Sequence, residues 1–271
     1  MKNNINNTEE KKRTHSPAGR IFLICLLTVT TVLILCATPL FSVTDIEVNG
    51  NSYYSKNLII NKSGLFIGQN GFSTLLGRNP VKMMSLRCSG AELEVTAACP
   101  YVKTIQARYI PPHTVRIDIE ERSKSVIIPF YESGLLIDGE GVVVDIVKDY
   151  GLSGLPVALG LGVTRYSVGK KLEADDDLGV ETVLAVINAL KQADRDGGDE
   201  ALAWIVTSID VSDPRSIILG LNNGIKVNLG DGTDLYYRVN ATKEIITHGI
   251  DGGEKGVISF INGARPVFAP A

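Results

Sequence analysis

The longest apolar segment of the chain, residues 21–41, contains no charged residue. An α-helix rises about 1.5 Å per residue, so about 20 apolar residues cross a hydrocarbon core of about 30 Å. The segment therefore predicts one membrane-spanning helix. The alternative is a cleaved signal peptide, but its apolar region is only about 7–15 residues long and ends at a small-x-small cleavage site, which residues 36–41 do not clearly provide.

Short amphipathic patterns follow in the order β-α-α-β-β. Residues 43–49 alternate apolar and polar side chains, as in a strand with one buried face. Ser55 and Gly64 suit the N-cap and the C-terminal stop of a helix of about two turns. The other predicted elements of this unit are a short helix and two strands that are joined around a Pro-Pro turn: residues 91–98, 103–109 and 115–121.

Past Arg122 the apolar runs become longer and predict a sheet with two helices. Asp138-Gly139 lies between two such runs and indicates a hairpin turn. A helix of about four turns is predicted after Asp177, because apolar residues there recur at helical spacing. These residues are Val180, Val183, Leu184, Ile187 and Leu190. The other predicted elements are strands at 126–130, 135–137, 142–147, 204–211, 216–221, 225–229 and 256–261, and a second helix at 234–248.

The distribution of charge predicts the orientation in the membrane. Residues 1–20 contain five basic and two acidic side chains, a local charge of +3, whereas the whole chain has a formal charge of −3. Basic residues favour the cytoplasmic side of a span, so the N-terminus is expected inside and the remaining domains outside the membrane. An acidic exported part offers no basic face for a phosphate backbone, which excludes nucleic acid as a partner.

The four cysteines agree with this topology. Cys25 and Cys36 lie in the predicted span, whereas Cys88 and Cys99 lie in the exported part, where disulfides persist. Two interpretations stay open for the second pair: one disulfide, or two free and buried thiols.

The sequence shows no recognisable catalytic or metal site. A hydrolytic triad needs a base next to a nucleophile, but His15, His113 and His248 are scattered and no G-x-S-x-G element is present. No C-x-x-C or H-E-x-x-H spacing indicates a metal site. Asp138 and Glu140 have the residue types of an acid–base pair, but a D-G-E-G turn uses them for backbone reasons. The sequence therefore predicts a binding protein without catalytic centre, cofactor, metal or small-molecule substrate.

Several segments, taken in order, resemble bacterial cell-division proteins of the FtsQ/DivIB family. They are FSVTDIEVNGN, KSGL, CPYVKTIQARYIPPHTVRIDIEER and GLLIDGEGVVV. In that family the β-α-α-β-β unit is a POTRA domain and a β domain follows it. POTRA modules also occur in outer-membrane assembly factors, but a single span with a single such unit favours the division family.

The resemblance implies an α+β fold with one transmembrane helix, a POTRA domain and a mixed β-sheet domain with two helices. The expected domains are a cytoplasmic tail at 1–20, the transmembrane helix at 21–41, the POTRA domain at 42–122, the β domain at 123–263 and a C-terminal tail at 264–271.

The resemblance also implies a function. The chain is expected to be a non-enzymatic, single-pass type II membrane scaffold of the divisome at the division septum. Its implied partners are FtsB/DivIC-like and FtsL-like bitopic proteins, which link it to septal peptidoglycan synthesis. The alternatives are an exported POTRA-type chaperone, which would need a downstream barrel, and an exported cell-wall hydrolase, which would need a catalytic cluster.

The last predicted strand is the candidate partner-binding site: Gly256, Val257, Ile258, Ser259, Phe260 and Ile261. The last strand of a meander lies at a sheet edge, where its unpaired N–H and C=O groups accept a strand of another chain. No lysine protects this strand, and the resemblance implies a partner site in the same region. The alternative is a plain core strand, in which Val257, Ile258 and Phe260 fill the sheet.

Overall fold

The computed structural model describes residues 17–76, 79–149, 151, 153–196, 201–249, 254–260 and 265–270. The helices in these ranges are α1 Pro17–Cys36, α2 Lys56–Ser63, α3 Pro80–Met84, α4 Ser89–Ala98, α5 Asp177–Asp196 and α6 Leu235–His248. The strands are β1 Asp45–Asn49, β2 Val102–Ile110, β3 Thr114–Glu121, β4 Lys124–Phe130, β5 Ser133–Asp138, β6 Val143–Val147, β7 Val157–Leu159, β8 Val163–Arg165, β9 Glu173–Ala174, β10 Val206–Asp210, β11 Ile218–Leu221, β12 Lys226–Asn228, β13 Gly256–Ser259 and β14 Val267–Pro270.

Helix α1 is long and apolar enough to cross a membrane. Its segment Ala18–Cys36 has a mean hydropathy of 2.3, and none of the residues in its most apolar 18-residue stretch is buried against the rest of the chain. The helix ends at Cys36, five residues before the end of the predicted span. Pro39 opens a short 3-10 helix over Pro39–Phe41, because proline fits the first turn of a helix but cannot continue one.

The first folded unit has the predicted β-α-α-β-β order. Its sheet has the order β1-β3-β2, with β1 parallel and β2 antiparallel to β3. The predicted caps of α2 are confirmed, since Ser55 Oγ accepts a hydrogen bond from Leu58 N and Gly64 adopts a left-handed φ of 69°. The unit also contains α3, which the sequence analysis did not include. Helices α2 and α4 bury one face of the sheet around Ile59, Val95, Val115 and Ile117.

The second unit is built on a mixed nine-stranded sheet. Its strand order is β14-β13-β12-β11-β10-β7-β4-β5-β6. Helix α5 packs into the core of this sheet through the predicted stripe, in which Val183, Ile187 and Leu190 are buried. Helix α6 contacts α5 and contributes Val239 to the same core. The α+β fold class with two helices in the second unit is therefore confirmed.

The predicted end of this sheet is wrong. Strand β13, predicted to be the last strand and the edge, pairs with β12 on one side and with β14 on the other. The β12–β13 pair is parallel, so helix α6 must carry the chain back across the sheet between them. The chain then turns once more, and Val267–Pro270, predicted to be a tail, becomes the edge strand. Trp204, predicted to begin a strand, lies exposed in a 3-10 helix at Leu202–Trp204.

The two units are in contact through an apolar and an ionic cluster. Tyr101 of the first unit packs on Ile127, Leu136 and Val144, which point away from α5. Arg122 Nη1 contacts Asp138 at 2.6 Å and Glu140 at 2.9 Å, and Lys103 Nζ contacts Glu140 at 2.8 Å. These contacts fix the second unit against the first.

Candidate functional site: the outer edge of the nine-stranded sheet

Strand β14 presents an open backbone edge. It ends the strand order, so only one of its two sides is paired within the part of the chain that the structure describes. The strand Val267–Pro270 contains no charged residue, and the side chain of Val267 is 65% exposed. Natural sheets usually protect such edges with charges, bulges or a covering segment. An uncharged edge with exposed apolar side chains is therefore a candidate binding surface.

The position of β14 depends on Gly256. The register pairs Gly256 with Pro270 and Ile258 with Phe268. A Cβ atom on Gly256 would lie 2.7 Å from a ring carbon of Phe268 and would also collide with the carbonyl oxygen of Ala269. Only glycine therefore lets the Phe268 ring cover this position and lets β14 approach β13.

The predicted site residues divide between core and surface. Ile258 and Phe260 are buried among the core residues of the sheet, and Gly256 is buried under β14. Val257 is partly exposed and Ser259 is half-buried, whereas Ile261 lies outside the described residues. Because both backbone edges of β13 are occupied, this strand cannot itself accept another chain. Strand β13 is therefore a core strand, and β14 forms the sheet edge in its place.

The exposed side chains of β13 and β14 belong to a wider surface, called here the open face. The strand registers place its residues in two cross-strand rows on the side away from the helices. One row is Ser208, Gly220, Lys226, Val257 and Ala269, and the other is Asp210, Ile218, Asn228, Ser259 and Val267. The rows continue to the outer edge, so a strand added to β14 would extend both of them.

Hydrogen bonds order the polar side chains of the open face. Asn228 donates to Ser216 Oγ at 2.9 Å and accepts from Gly230 N at 2.8 Å. Asp210 accepts from the hydroxyl and the backbone N–H of Ser212 at 2.6 and 2.9 Å, and these bonds lower the pKa of Asp210. The open face therefore carries a fixed negative charge at Asp210 in one row and the positive charge of Lys226 in the other, beside its apolar positions.

Comparison with known proteins identifies the second unit. Residues 131–259 match the sequence model described as "Cell division protein FtsQ/DivIB, C-terminal". The second unit is therefore similar to the C-terminal domain of the FtsQ/DivIB family, and this match supports that family for the chain. The match extends from the β4–β5 turn to the end of β13, so β14 lies just beyond the matched residues.

Curated cell division proteins are similar to this chain over most of its length. Cell division protein DivIB of Clostridium acetobutylicum is 24% identical over 246 residues, which cover 91% of this chain and 88% of the relative. Cell division protein FtsQ of Corynebacterium glutamicum is 23% identical over 211 residues, covering 77% and 80%. Cell division protein DivIB of Clostridium botulinum is 21% identical over 259 residues, covering 95% and 93%. These relatives support a role in cell division, and the FtsQ/DivIB family is a non-enzymatic family of division proteins.

Among the candidate catalytic residues, Asp138 has a structural role. Asp138 is buried, and its Oδ1 accepts hydrogen bonds from Glu140 N and Val142 N at 2.9 and 2.8 Å, which closes the turn. His113 and His248 are exposed, and His15 lies outside the described residues. Within the described ranges, no group of three His, Cys, Asp or Glu side chains is placed to hold a metal ion.

A Ser–Lys contact that the sequence analysis missed bears on the hydrolase alternative. Lys191 Nζ lies 2.6 Å from Ser125 Oγ, and burial lowers the pKa of Lys191. A general base must receive the proton of the serine hydroxyl. Here Ser125 Oγ donates instead to the carbonyl oxygen of Ser123 at 3.2 Å, and Lys191 is the donor to Ser125. The contact is thus arranged as a structural hydrogen bond.

The possible disulfide between Cys88 and Cys99 does not form in this structure. Both residues are free and buried, and they flank helix α4 at its two ends. Eleven steps of about 1.5 Å separate their Cα atoms by roughly 16 Å along the helix, whereas a disulfide requires less than about 7 Å. The helix therefore excludes the bridge, and the interpretation as two buried thiols is correct.

Proposed function

We propose that this chain is a membrane-anchored, non-enzymatic scaffold of the cell-division machinery. It holds FtsB/DivIC-like and FtsL-like bitopic proteins at the division septum and links them to septal peptidoglycan synthesis. The match to the FtsQ/DivIB C-terminal domain and the similarity to cell division proteins support the division role. The observation that carries the binding role is the open, uncharged edge at β14.

Helix α1 supports the membrane anchor. It is uncharged from Ile21 onward, and its side chains are exposed, as lipid contact requires. The excess of basic residues in 1–20 favours a cytoplasmic N-terminus. In this orientation both folded units, and with them the edge strand, lie on the outer side of the membrane, where single-pass partners of the same orientation expose their own outer domains.

Addition of a partner strand to β14 follows from the geometry of the edge. Main-chain hydrogen bonds give affinity in such complexes, and alternate side chains give specificity. Each net hydrogen bond contributes only about 0.5–1.5 kcal/mol, and Pro270 has no N–H to donate. A four-residue edge is therefore too short to hold a partner alone. The open face, through Val257, Val267 and Ala269, offers the additional side-chain contacts.

The variant Val267→Lys tests this site, because a lysine on an edge strand disfavours strand addition. We expect it to unfold at the same temperature as wild type and to lose the FtsB/DivIC-like partner in co-purification. Leu178→Lys is the matched control, since Leu178 is 72% exposed against 65% for Val267 but lies in the first turn of α5. The control should retain the partner. If Val267→Lys folds and still retains the partner at the wild-type level, the edge site is wrong.

A further inference from the structure

A long uncharged segment of the first unit lies next to the outer end of α1. Residues 63–77, which connect α2 to the region before α3, contain no charged side chain, although Lys62 and Arg78 bracket them. Loops of exported domains normally carry charged residues because they face water. Leu65 and Leu75 enter the core of the first unit, but that core does not explain the exposed apolar side chains of Phe66 and Ile67.

Hydrogen bonds tie this segment to the residues that leave the membrane. Asn70 Nδ2 donates to the carbonyl oxygen of Cys36, the last residue of α1, at 2.9 Å. Gly71 N donates to the carbonyl oxygen of Phe41 at 2.7 Å, and Gly68 N donates to that of Val43 at 2.8 Å. The last carbonyl groups of a helix have no partner within the helix, so Asn70 satisfies one of them at the membrane boundary.

Three large apolar side chains are exposed beside these bonds. Leu40, Phe66 and Ile67 are 64%, 62% and 68% exposed. Leu40 lies four residues after the end of α1, and Phe66 and Ile67 directly precede Gly68, which pairs with Val43 seven residues after that end. Phe41, the neighbour of Leu40, makes an edge-to-face contact with Phe72 at a centroid distance of 5.0 Å. We call Leu40, Phe66 and Ile67 the exit cluster.

The length of α1 places the exit cluster at the level of the lipid headgroups. Its uncharged residues 21–36 span about 24 Å, about 6 Å less than the roughly 30 Å hydrocarbon core of a typical bilayer. With Arg20 at the inner boundary, the outer boundary of the hydrocarbon lies about 6 Å beyond Cys36, and the headgroup region extends about 5–8 Å further. Apolar side chains with uncharged surroundings are favoured in this region, as in helices that lie in the membrane interface.

We propose that Leu40, Phe66 and Ile67 insert into the outer leaflet and seat the first unit on the lipid surface. The inference rests on the proposed membrane anchoring through α1. Continuity with the span and the absence of charge from residues 63–77 favour lipid over a protein partner as the occupant. The first unit then lies on the membrane instead of standing away from it.

Tryptophan quenching by lipid tests the proposal in the full chain. The only tryptophan, Trp204, lies in the second unit, so Trp204→Phe provides a background for single probes. Phe66→Trp and, as a second variant, Ile67→Trp are placed in this background and reconstituted in vesicles of phosphatidylcholine and phosphatidylglycerol. Replacing the phosphatidylcholine by its acyl-brominated form quenches only tryptophans that contact the lipid.

Two controls separate this proposal from the anchoring on which it rests. Leu27→Trp in α1 should be quenched strongly, and the wild-type chain, with Trp204 alone, should not be quenched. We expect Phe66→Trp or Ile67→Trp to be quenched to at least about half the extent of Leu27→Trp, since interfacial side chains penetrate about 5–10 Å. Quenching of Leu27→Trp without quenching of either loop variant overturns the membrane seat and leaves the anchor intact. If Leu27→Trp is not quenched, the anchor is wrong and the inference fails with it.

Discussion

The carboxylate of Glu92 should hold the segment around α3 on the first unit. Glu92 lies in α4 and is buried. It accepts hydrogen bonds from Lys82 Nζ and Arg87 Nε, both at 2.7 Å, and from Ala107 N at 3.1 Å. One carboxylate thus joins α3, the turn before α4 and strand β2. The variant Glu92→Gln keeps the shape of the side chain but removes its charge.

The expected loss of stability follows from the exposure of the two cations. The side chain of Arg87 is 22% exposed, so its bond to the carboxylate is worth about 1.5–3 kcal/mol, as for other bonds to charged groups. Lys82 is 37% exposed, so its pair is closer to a surface ion pair and is worth below about 1 kcal/mol. Together we expect Glu92→Gln to lower the free energy of unfolding by about 2–3 kcal/mol, which for a chain of this size is a decrease in Tm of roughly 4–12 °C.

The effect of Glu92→Gln should depend on pH. Burial opposes ionisation of Glu92, but the hydrogen bonds from Arg87, Lys82 and Ala107 N outweigh it and lower its pKa. A carboxyl group with a lowered folded-state pKa stabilises the protein above its unfolded value of about 4.3, and this contribution is lost as the pH falls through the folded value. The difference between wild type and variant is thus largest at neutral pH and shrinks below about pH 4.

Thermal unfolding of the full chain in detergent, followed by circular dichroism between neutral and acidic pH, measures this difference. Glu94→Gln is the matched control, because Glu94 lies on the same helix but is exposed, and it should change the Tm little. The reasoning is refuted if Glu92→Gln unfolds like Glu94→Gln at neutral pH, or if its deficit stays the same at low pH.

Three further predictions concern the edge, the topology and the septal location. Gly256→Val should displace the Phe268 ring and detach β14, which lowers the free energy of unfolding by about 1–3 kcal/mol. We expect faster amide exchange that is confined to β14 and loss of the FtsB/DivIC-like partner. Unchanged amide exchange in β14 would contradict the packing argument. A reporter that is active only in the cytoplasm should be silent when fused after Ala271, and a fluorescent fusion should form a band at the septum; cytoplasmic activity or uniform membrane fluorescence would contradict the orientation or the septal role.

Sequence patterns predicted the elements whose signals are local. Ser55 and Gly64 were identified as caps because a helix end needs a side-chain acceptor and a left-handed residue at fixed positions. The stripe of α5 was identified because its spacing follows the helical period over several turns. Helix α3 was missed although its signal is present, since Asn79 caps it and Pro80 occupies its first position.

The candidate site was only partly predictable because its edge depends on distant pairing. The last four-residue strand, Val267–Pro270, is short, contains a proline and follows Pro266, which is typical of a tail. It becomes a strand for two reasons. Gly256 leaves room for the Phe268 ring, and β13, which pairs with β12 on one edge, leaves its other edge free for β14. The prediction therefore reached the correct end of the sheet but assigned the edge to the neighbouring strand.

The hydrogen bond from Asn70 to the carbonyl oxygen of Cys36 limits how freely the folded units can move when they meet a partner. A domain on a flexible linker explores a volume, and the linker length sets the effective concentration at which it meets its target. This chain has little such freedom, because the bonds from Asn70, Gly68 and Gly71 clasp the residues after α1 and the contacts of Arg122 join the second unit to the first. In the proposed anchored state, the edge is thereby held at a fixed height and rotational position relative to α1. In that state, the edge can meet a partner only through rotation of α1 in the bilayer and through the motion of a flexible segment of the partner.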